Sequence, residues 1–105
     1  MVKEVTVQEL KAMRDENKDF QLIDVREEFE YETVNIQGEL IPLGNILLES
    51  DKISKDKQVV IHCRSGARSA AAIMQLEQQF GFTNLYNLKG GILAWIAEVD
   101  PSLQS

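Results

Sequence analysis

The chain has 105 residues, 44% of them hydrophobic, with eleven Lys and Arg against seventeen Asp and Glu for a formal charge of -6. That length suits one domain, residues 1–105, built on one core, and the apolar fraction is too high for a disordered chain. The acidity excludes general binding to nucleic acid or to an anionic membrane, since both need a basic surface, so any anion chemistry requires a local positive site.

One cysteine and one histidine exclude an internal disulfide and argue against a closed zinc site, so no metal and no cofactor is expected. The opening MVKEVTVQEL does not read as a secretory signal, and no apolar run approaches the ~18 residues of a membrane span. A reduced, cytoplasmic setting is the expectation. Oligomeric state is not readable from the chain.

Thr6-Val7-Gln8-Glu9 has the form of a capping box, and Val7, Leu10 and Met13 then recur at helical spacing. Phe20 to Val25 reads as a buried strand, Glu27 to Thr33 as an acidic helical turn or two, and Glu39 to Ile41 as a short strand before Pro42. Ile46, Leu47 and Leu48 suggest a short helix. Val59 to His62 is the clearest strand, β-branched and without polar alternation until its last residue, as in a parallel sheet covered on both faces. Ser69 to Phe80 reads as a helix with Ile73, Leu76 and Phe80 on one face, Ala70 to Ala72 in its first turn and Gly81 at a left-handed C-cap. Leu85 to Leu88 reads as a further strand, Gly90-Gly91 as a turn, and Ile92, Leu93, Trp95, Ile96 and Val99 as a last apolar helix. The alternation predicts an α/β fold with a mostly parallel sheet and helices on both faces.

The chemistry lies between Val59 and Leu76. A buried strand ends at His62, the loop Cys63-Arg64-Ser65-Gly66-Ala67-Arg68 follows, and a helix begins. Ligands of open α/β sheets bind at the carboxyl ends of strands, which is where the only cysteine sits. Small residues at Ser65, Gly66 and Ala67 let successive backbone N–H groups point at one centre. The helix N-terminus and the charges of Arg64 and Arg68 add to the positive potential. Cysteines in such settings have pKa values lowered to roughly 3.5–7.5, which makes Cys63 an activated nucleophile near neutrality. A lone cysteine at a strand end is most often a small buried hydrophobe, but two arginines and a glycine are poor filler for an apolar core.

Cys63-Arg64-Ser65-Gly66-Ala67-Arg68-Ser69 resembles the active-site loop of rhodanese-like sulfurtransferases, C-x-x-G-x-R-[S/T]. Leu22 to Glu27 resembles the family's L-I-D-V-R-E segment, and Gly81 to Trp95 its G-F-x-N-V-Y-x-L-x-G-G-I-x-A-W ending. The resemblance implies a single three-layer rhodanese domain whose sheet has five strands. It also implies sulfur transfer: Cys63 takes a sulfane sulfur from a small sulfur-containing anion such as thiosulfate, becomes a persulfide, and passes the outer sulfur to cyanide or to a thiol, including a protein thiol. Backbone amides from Arg64 to Ser69 (Ser65, Gly66, Ala67 and Arg68 between them) would cradle the persulfide. Arg64 and Arg68 would attract the donor, unless Arg68 is tied to a carboxylate near the base of the loop. The chain departs from the family's H-I-x-G-A stretch, reading Asn35-Ile36-Gln37-Gly38-Glu39.

Two other functions compete. A phosphatase or arsenate reductase on a similar loop would resemble C-x5-R, whereas Arg64 to Ala67 leave a shorter loop fitted to one sulfur atom. A sulfur-relay or protein-interaction module with little thiosulfate turnover is the second. Among the remaining residues, His62 should point away from Cys63 because neighbours on a strand diverge. Asp24 and Arg26 are expected to support the loop or each other, Trp95 to pack in the core, and Glu27, Glu28, Glu30 and Glu32 to form a solvated helix face.

Overall fold

The computed structural model describes residues 1–103, and its centre is the strand that the apolar run predicts. This strand, β4 (Gln58–His62), has Val59, Val60, Ile61 and His62 fully buried. It pairs in parallel with β2 (Phe20–Asp24) on one side and with β5 (Leu85–Leu88) on the other. The edges are β3 (Glu39–Leu40) beside β2 and β1 (Glu4–Val5) beside β5, so the order is β1-β5-β4-β2-β3 and every pairing is parallel.

Side chains of a strand alternate between faces, so β4 feeds two cores. Val59, Ile61 and Cys63 lie on the side of α3 (Ala67–Phe80), packed with Ala72, Ile73 and Leu76. Val60 lies on the side of α1 (Val7–Asp15) and α4 (Gly91–Glu98), with Leu10, Met13, Ile92 and Trp95. Trp95 is therefore a core residue, as its spacing predicts.

Local signals place most boundaries. Thr6 caps α1 with both bonds of the capping box in place, at 3.1 Å from the Glu9 amide to Thr6 Oγ1 and 2.8 Å from the Thr6 amide to Glu9 Oε1. Gly81 ends α3 at φ 68°, in the left-handed region. The short helix expected at Ile46 to Leu48 is instead turn, flanked by 3-10 helices at Leu43–Asn45 and Ser50–Lys52. Ile46 is buried there as a core plug while Leu48 is exposed, so the apolar triplet does not form one helical face. β1 has no sequence signature of its own, being two residues held by Asn87 and Lys89 amides donating to the carbonyls of Lys3 and Val5.

In the stretch Asn35 to Glu39, Asn35 Oδ1 accepts from the Gln37 amide at 2.9 Å, which supports Gln37 at φ 68°. Glu39, standing where the rhodanese pattern has a small residue, points to solvent and accepts from Gln21 Nε2 at 3.0 Å. The departure is thus absorbed at the sheet edge. Among the described residues, no helix is long and apolar enough to cross a membrane.

Ile73 is fully buried between α3 and the sheet. Ile73→Ala should cost about 2–5 kcal/mol through lost burial and the cavity left behind, measured as a fall in the urea midpoint at unchanged slope.

Candidate active site: the cysteine loop

Cys63 follows β4, and its side chain is only 1% exposed. Burying a sulfur anion is unfavourable unless donors replace the water it loses. The loop supplies them. The Gly66 amide donates to Cys63 Sγ at 3.1 Å, and the Ser69 hydroxyl approaches it at 3.4 Å. Burial pushes the Cys63 thiol up, but the Ser69 hydroxyl and the amides of Ser69, Gly66 and Ser65 outweigh it and hold the pKa below the ordinary value.

Two carbonyls at the start of the loop are held on the side of α4. At the start of α4, the Ile92 amide donates to the Cys63 carbonyl at 3.0 Å and the Leu93 amide to the Arg64 carbonyl at 3.1 Å. This approach requires glycine at position 91: a Cβ there would lie 2.4 Å from the Arg64 carbonyl oxygen, and φ is +60°. Gly66, at φ +116°, makes the turn that carries the loop into α3.

Sequence reasoning missed Asn87, which holds the loop from β5. Its Nδ2 donates to the Gly66 carbonyl at 3.1 Å, and its Oδ1 lies 2.5 Å from Ser69 Oγ. The Ser69 proton thus has three acceptors in reach, Cys63 Sγ, Asn87 Oδ1 and the Gly66 carbonyl at 3.2 Å, and a hydroxyl has one proton to give. Negative charge on the sulfur draws that proton toward Sγ. The available signal for Asn87 is a polar residue at a buried position of an apolar strand.

Arg68 is tied down. Its guanidinium donates to both carboxylate oxygens of Glu30, at 2.7 and 3.0 Å. Glu30 lies on α2 (Glu28–Thr33), and its Oε1 also accepts from the Glu27 amide at 3.0 Å. The acidic cluster is therefore not simply a solvated face, because Glu30 leaves it to clamp the loop. The bidentate bond from Arg68 is the main reason that the Glu30 pKa is lowered to about 2.

Asp24 and Arg26 pair with each other beneath the loop. Asp24 is 0% and Arg26 3% exposed; Arg26 Nη2 donates to Asp24 Oδ2 at 2.8 Å and to the Val34 carbonyl at 2.7 Å. The pair joins the end of β2 to the residue that closes α2, and so sets the helix that carries Glu30. His62 is buried on the opposite side of β4 from Cys63, with its Nδ1 3.2 Å from the Cys63 carbonyl, and burial lowers its pKa. It is a neutral packed histidine at neutral pH. Arg64, Ser65 and Ala67 are exposed, and Arg64 has no ion-pair partner among the described residues. Among the described residues, no group of three or more His, Cys, Asp and Glu side chains is arranged to hold a metal ion.

A parallel α/β sheet with one cysteine at the carboxyl end of its central strand, ringed by N–H groups at a helix start, defines a cysteine-loop protein built to hold an anion at sulfur. Within that class the assignment is direct: the rhodanese-like domain matches residues 6–98, and the chain belongs to that family.

A sulfurtransferase of Allochromatium vinosum is 40% identical over 96 residues, covering 90% of this chain and 89% of the relative. A probable adenylyltransferase/sulfurtransferase of Mycobacterium tuberculosis is 35% identical over 94% of the chain, which spans only 26% of that protein's length. The crystal structure of a rhodanese-like domain protein from Staphylococcus aureus superposes with a TM-score of 0.82 at 32% identity, covering 98% of this chain and 97% of the other.

Two measurements test the site. The rate of Cys63 alkylation against pH should inflect below the free-thiol value of about 8.5, and Ser69→Ala should move the inflection up toward it. An inflection unchanged by Ser69→Ala would mean that the hydroxyl does not serve the sulfur. For Glu30, the folded pKa of about 2 lies below the unfolded one, so the pair stabilises fully above the unfolded pKa and fades as pH falls toward the folded one. The stability gap between wild type and Glu30→Gln in urea should therefore shrink from pH 6 to pH 3. For so accessible a pair it should not exceed on the order of 1 kcal/mol.

Proposed function

We propose that this protein is a sulfurtransferase that carries a sulfane sulfur on Cys63 as a persulfide. The observation that carries the reading is the convergence of the Gly66 amide and the Ser69 hydroxyl on Cys63 Sγ, in a residue that is only 1% exposed. Such a ring favours a thiolate before transfer and an anionic persulfide after it. Family membership and the likeness to the Allochromatium vinosum sulfurtransferase support the same chemistry.

With thiosulfate, the Cys63 thiolate attacks the outer sulfur, an Sγ–S bond forms, the S–S bond of the donor breaks, and sulfite leaves with the electron pair. Cyanide or a thiolate then attacks the outer sulfur of the persulfide. Thiocyanate or a new persulfide leaves, and the Cys63 thiolate is restored. No oxidant, metal or proton donor is needed in either half. Arg64, exposed at the loop and without an ion-pair partner among the described residues, is the charge that meets the incoming anion. Arg68, committed to Glu30, keeps the loop in shape instead. The work is expected in the cytoplasm.

The sulfur-relay alternative shares the first half and differs in its acceptor, a protein thiol. It gains support from the Mycobacterium tuberculosis relative, in which the matched region is a quarter of a longer chain. The phosphatase alternative has less behind it. The loop closes on a single sulfur, and the one carboxylate brought to it, Glu30, is bound to Arg68 rather than placed to protonate a leaving group.

Intact-mass measurement tests the proposal. Thiosulfate should add one sulfur to the protein, cyanide should remove it with release of thiocyanate, and Cys63→Ser should abolish both. Full thiocyanate production by Cys63→Ser would overturn the reading. Loading that proceeds, with discharge to cyanide far slower than discharge to a thiol, would select the relay.

A further inference from the structure

Asn87 and Ser69 are both buried, so their polar atoms must find partners inside the protein. The Gly66 carbonyl can only accept, and this fixes the Asn87 amide with Nδ2 toward that carbonyl, at 3.1 Å, and Oδ1 toward Ser69 Oγ, at 2.5 Å. The same carbonyl also accepts from the Ala70 amide at 3.1 Å, so its two lone pairs are already in use. Two acceptors are left for the Ser69 hydroxyl, Asn87 Oδ1 and Cys63 Sγ at 3.4 Å. Asn87 Oδ1 has no other donor among the described residues.

The charge on Sγ decides between them. Hydrogen bonds to a charged acceptor are roughly twice as strong as neutral ones, so a thiolate holds the hydroxyl against an amide oxygen. In a persulfide the negative charge sits on the outer sulfur, and Sγ is a neutral bridging atom and a weak acceptor. The hydroxyl then has its better partner in Asn87. The charged groups around the sulfur are Arg64 in the loop, Arg68 paired with Glu30, and the Asp24–Arg26 pair at the end of β2, with neutral His62 on the far side of β4. None of them is hydrogen-bonded to the side chain of Asn87 or Ser69.

Resting on the sulfurtransferase reading, we propose that Asn87 is a positioning residue for sulfur transfer: it holds the Ser69 hydroxyl while Cys63 is loaded and releases it to Sγ as the sulfur is unloaded. No proton changes owner; one hydrogen bond turns between two acceptors. In discharge the incoming nucleophile bonds to the outer sulfur, the Sγ–S bond breaks, and its electron pair goes to Sγ as the hydroxyl swings onto that atom. In loading Sγ gives its pair to the new Sγ–S bond, the donor's leaving group departs with the pair of the broken bond, and the hydroxyl returns to Asn87 Oδ1. Asn87 thereby keeps the thiolate from being held too well. A hydroxyl with no second acceptor would stay on Sγ, favour the unloaded anion and make it a slower nucleophile.

The test uses Asn87→Leu, which keeps the volume, and Asn87→Ala, each shown by its urea transition to be folded. Cys63 alkylation is followed against pH. Loading from thiosulfate or inorganic polysulfide, and discharge to cyanide, are followed in single turnovers at a pH above the inflection. Without the second acceptor the alkylation inflection should fall by roughly half a pH unit, loading should slow roughly threefold, and discharge should quicken by a similar factor. A loop that had merely lost its shape would show the reverse inflection shift and slow both halves. In a Ser69→Ala background, Asn87→Leu should move none of the three. A raised inflection, slowing of both halves, or an Asn87→Leu effect that persists without the Ser69 hydroxyl overturns the proposal while leaving the sulfurtransferase reading intact. Absence of any Cys63 persulfide on the wild-type protein with both donors overturns the sulfurtransferase reading itself, and this proposal with it.

Discussion

A sulfur that carries negative charge out of water needs donors, and donors in a peptide come attached to acceptors. The rest of the site follows from this constraint. Each loop amide turned toward Cys63 Sγ turns a carbonyl the other way, and a buried carbonyl also needs a partner. The start of α4 supplies partners for the carbonyls of Cys63 and Arg64, and Asn87 one for Gly66. At one peptide the cradle is thus polarised from outside: the Leu93 amide, which has no intrahelical partner, binds the carbonyl of the Arg64–Ser65 peptide, whose N–H serves the sulfur. Arginine charge is secondary to the hydrogen bonds at the sulfur.

Three elements distant in sequence hold this arrangement. The buried Asp24–Arg26 pair anchors the end of α2 through the Val34 carbonyl, α2 presents Glu30, and Glu30 fixes Arg68 in the first turn of α3. Asn87 on β5 closes the other side. Breaking a buried ion pair by removing one partner typically costs about 3–5 kcal/mol, because the remaining charge is left uncompensated. Asp24 and Arg26 thereby bear on the position of α2, and through Glu30 on that of Arg68. Arg64 stands apart as the arginine of the loop whose side chain has no ion-pair partner among the described residues.

Local signals carry the elements that depend on local physics. The β-branched run predicts β4, helical periodicity and Gly81 predict α3, and the capping box predicts α1. The two-residue β1 escapes because it exists only through pairing with β5. The stretch Ile46 to Leu48 misleads because an apolar triplet is compatible with helix, turn or plug, and only the surrounding core chooses. At the site, Cys63 and its loop are readable because they are contiguous. Glu30 and Asn87 are not, since they reach the loop across 38 and 18 residues of chain. The need of Arg68 for a carboxylate follows from its charge, but four glutamates compete for it within one short helix and its cap, and the fold alone selects Glu30.

The dependence of the loop on α4 also sets an order of events during synthesis. Cys63 leaves the ribosome well before Gly91, so a nascent chain has its cysteine but not the amides of Ile92 and Leu93 that turn the loop carbonyls away. A cysteine without an ordered cradle of donors is largely protonated at neutral pH and poorly reactive toward oxidants. Full shaping of the Cys63 loop therefore waits on the docking of α4, the same helix that packs against the sheet beside it.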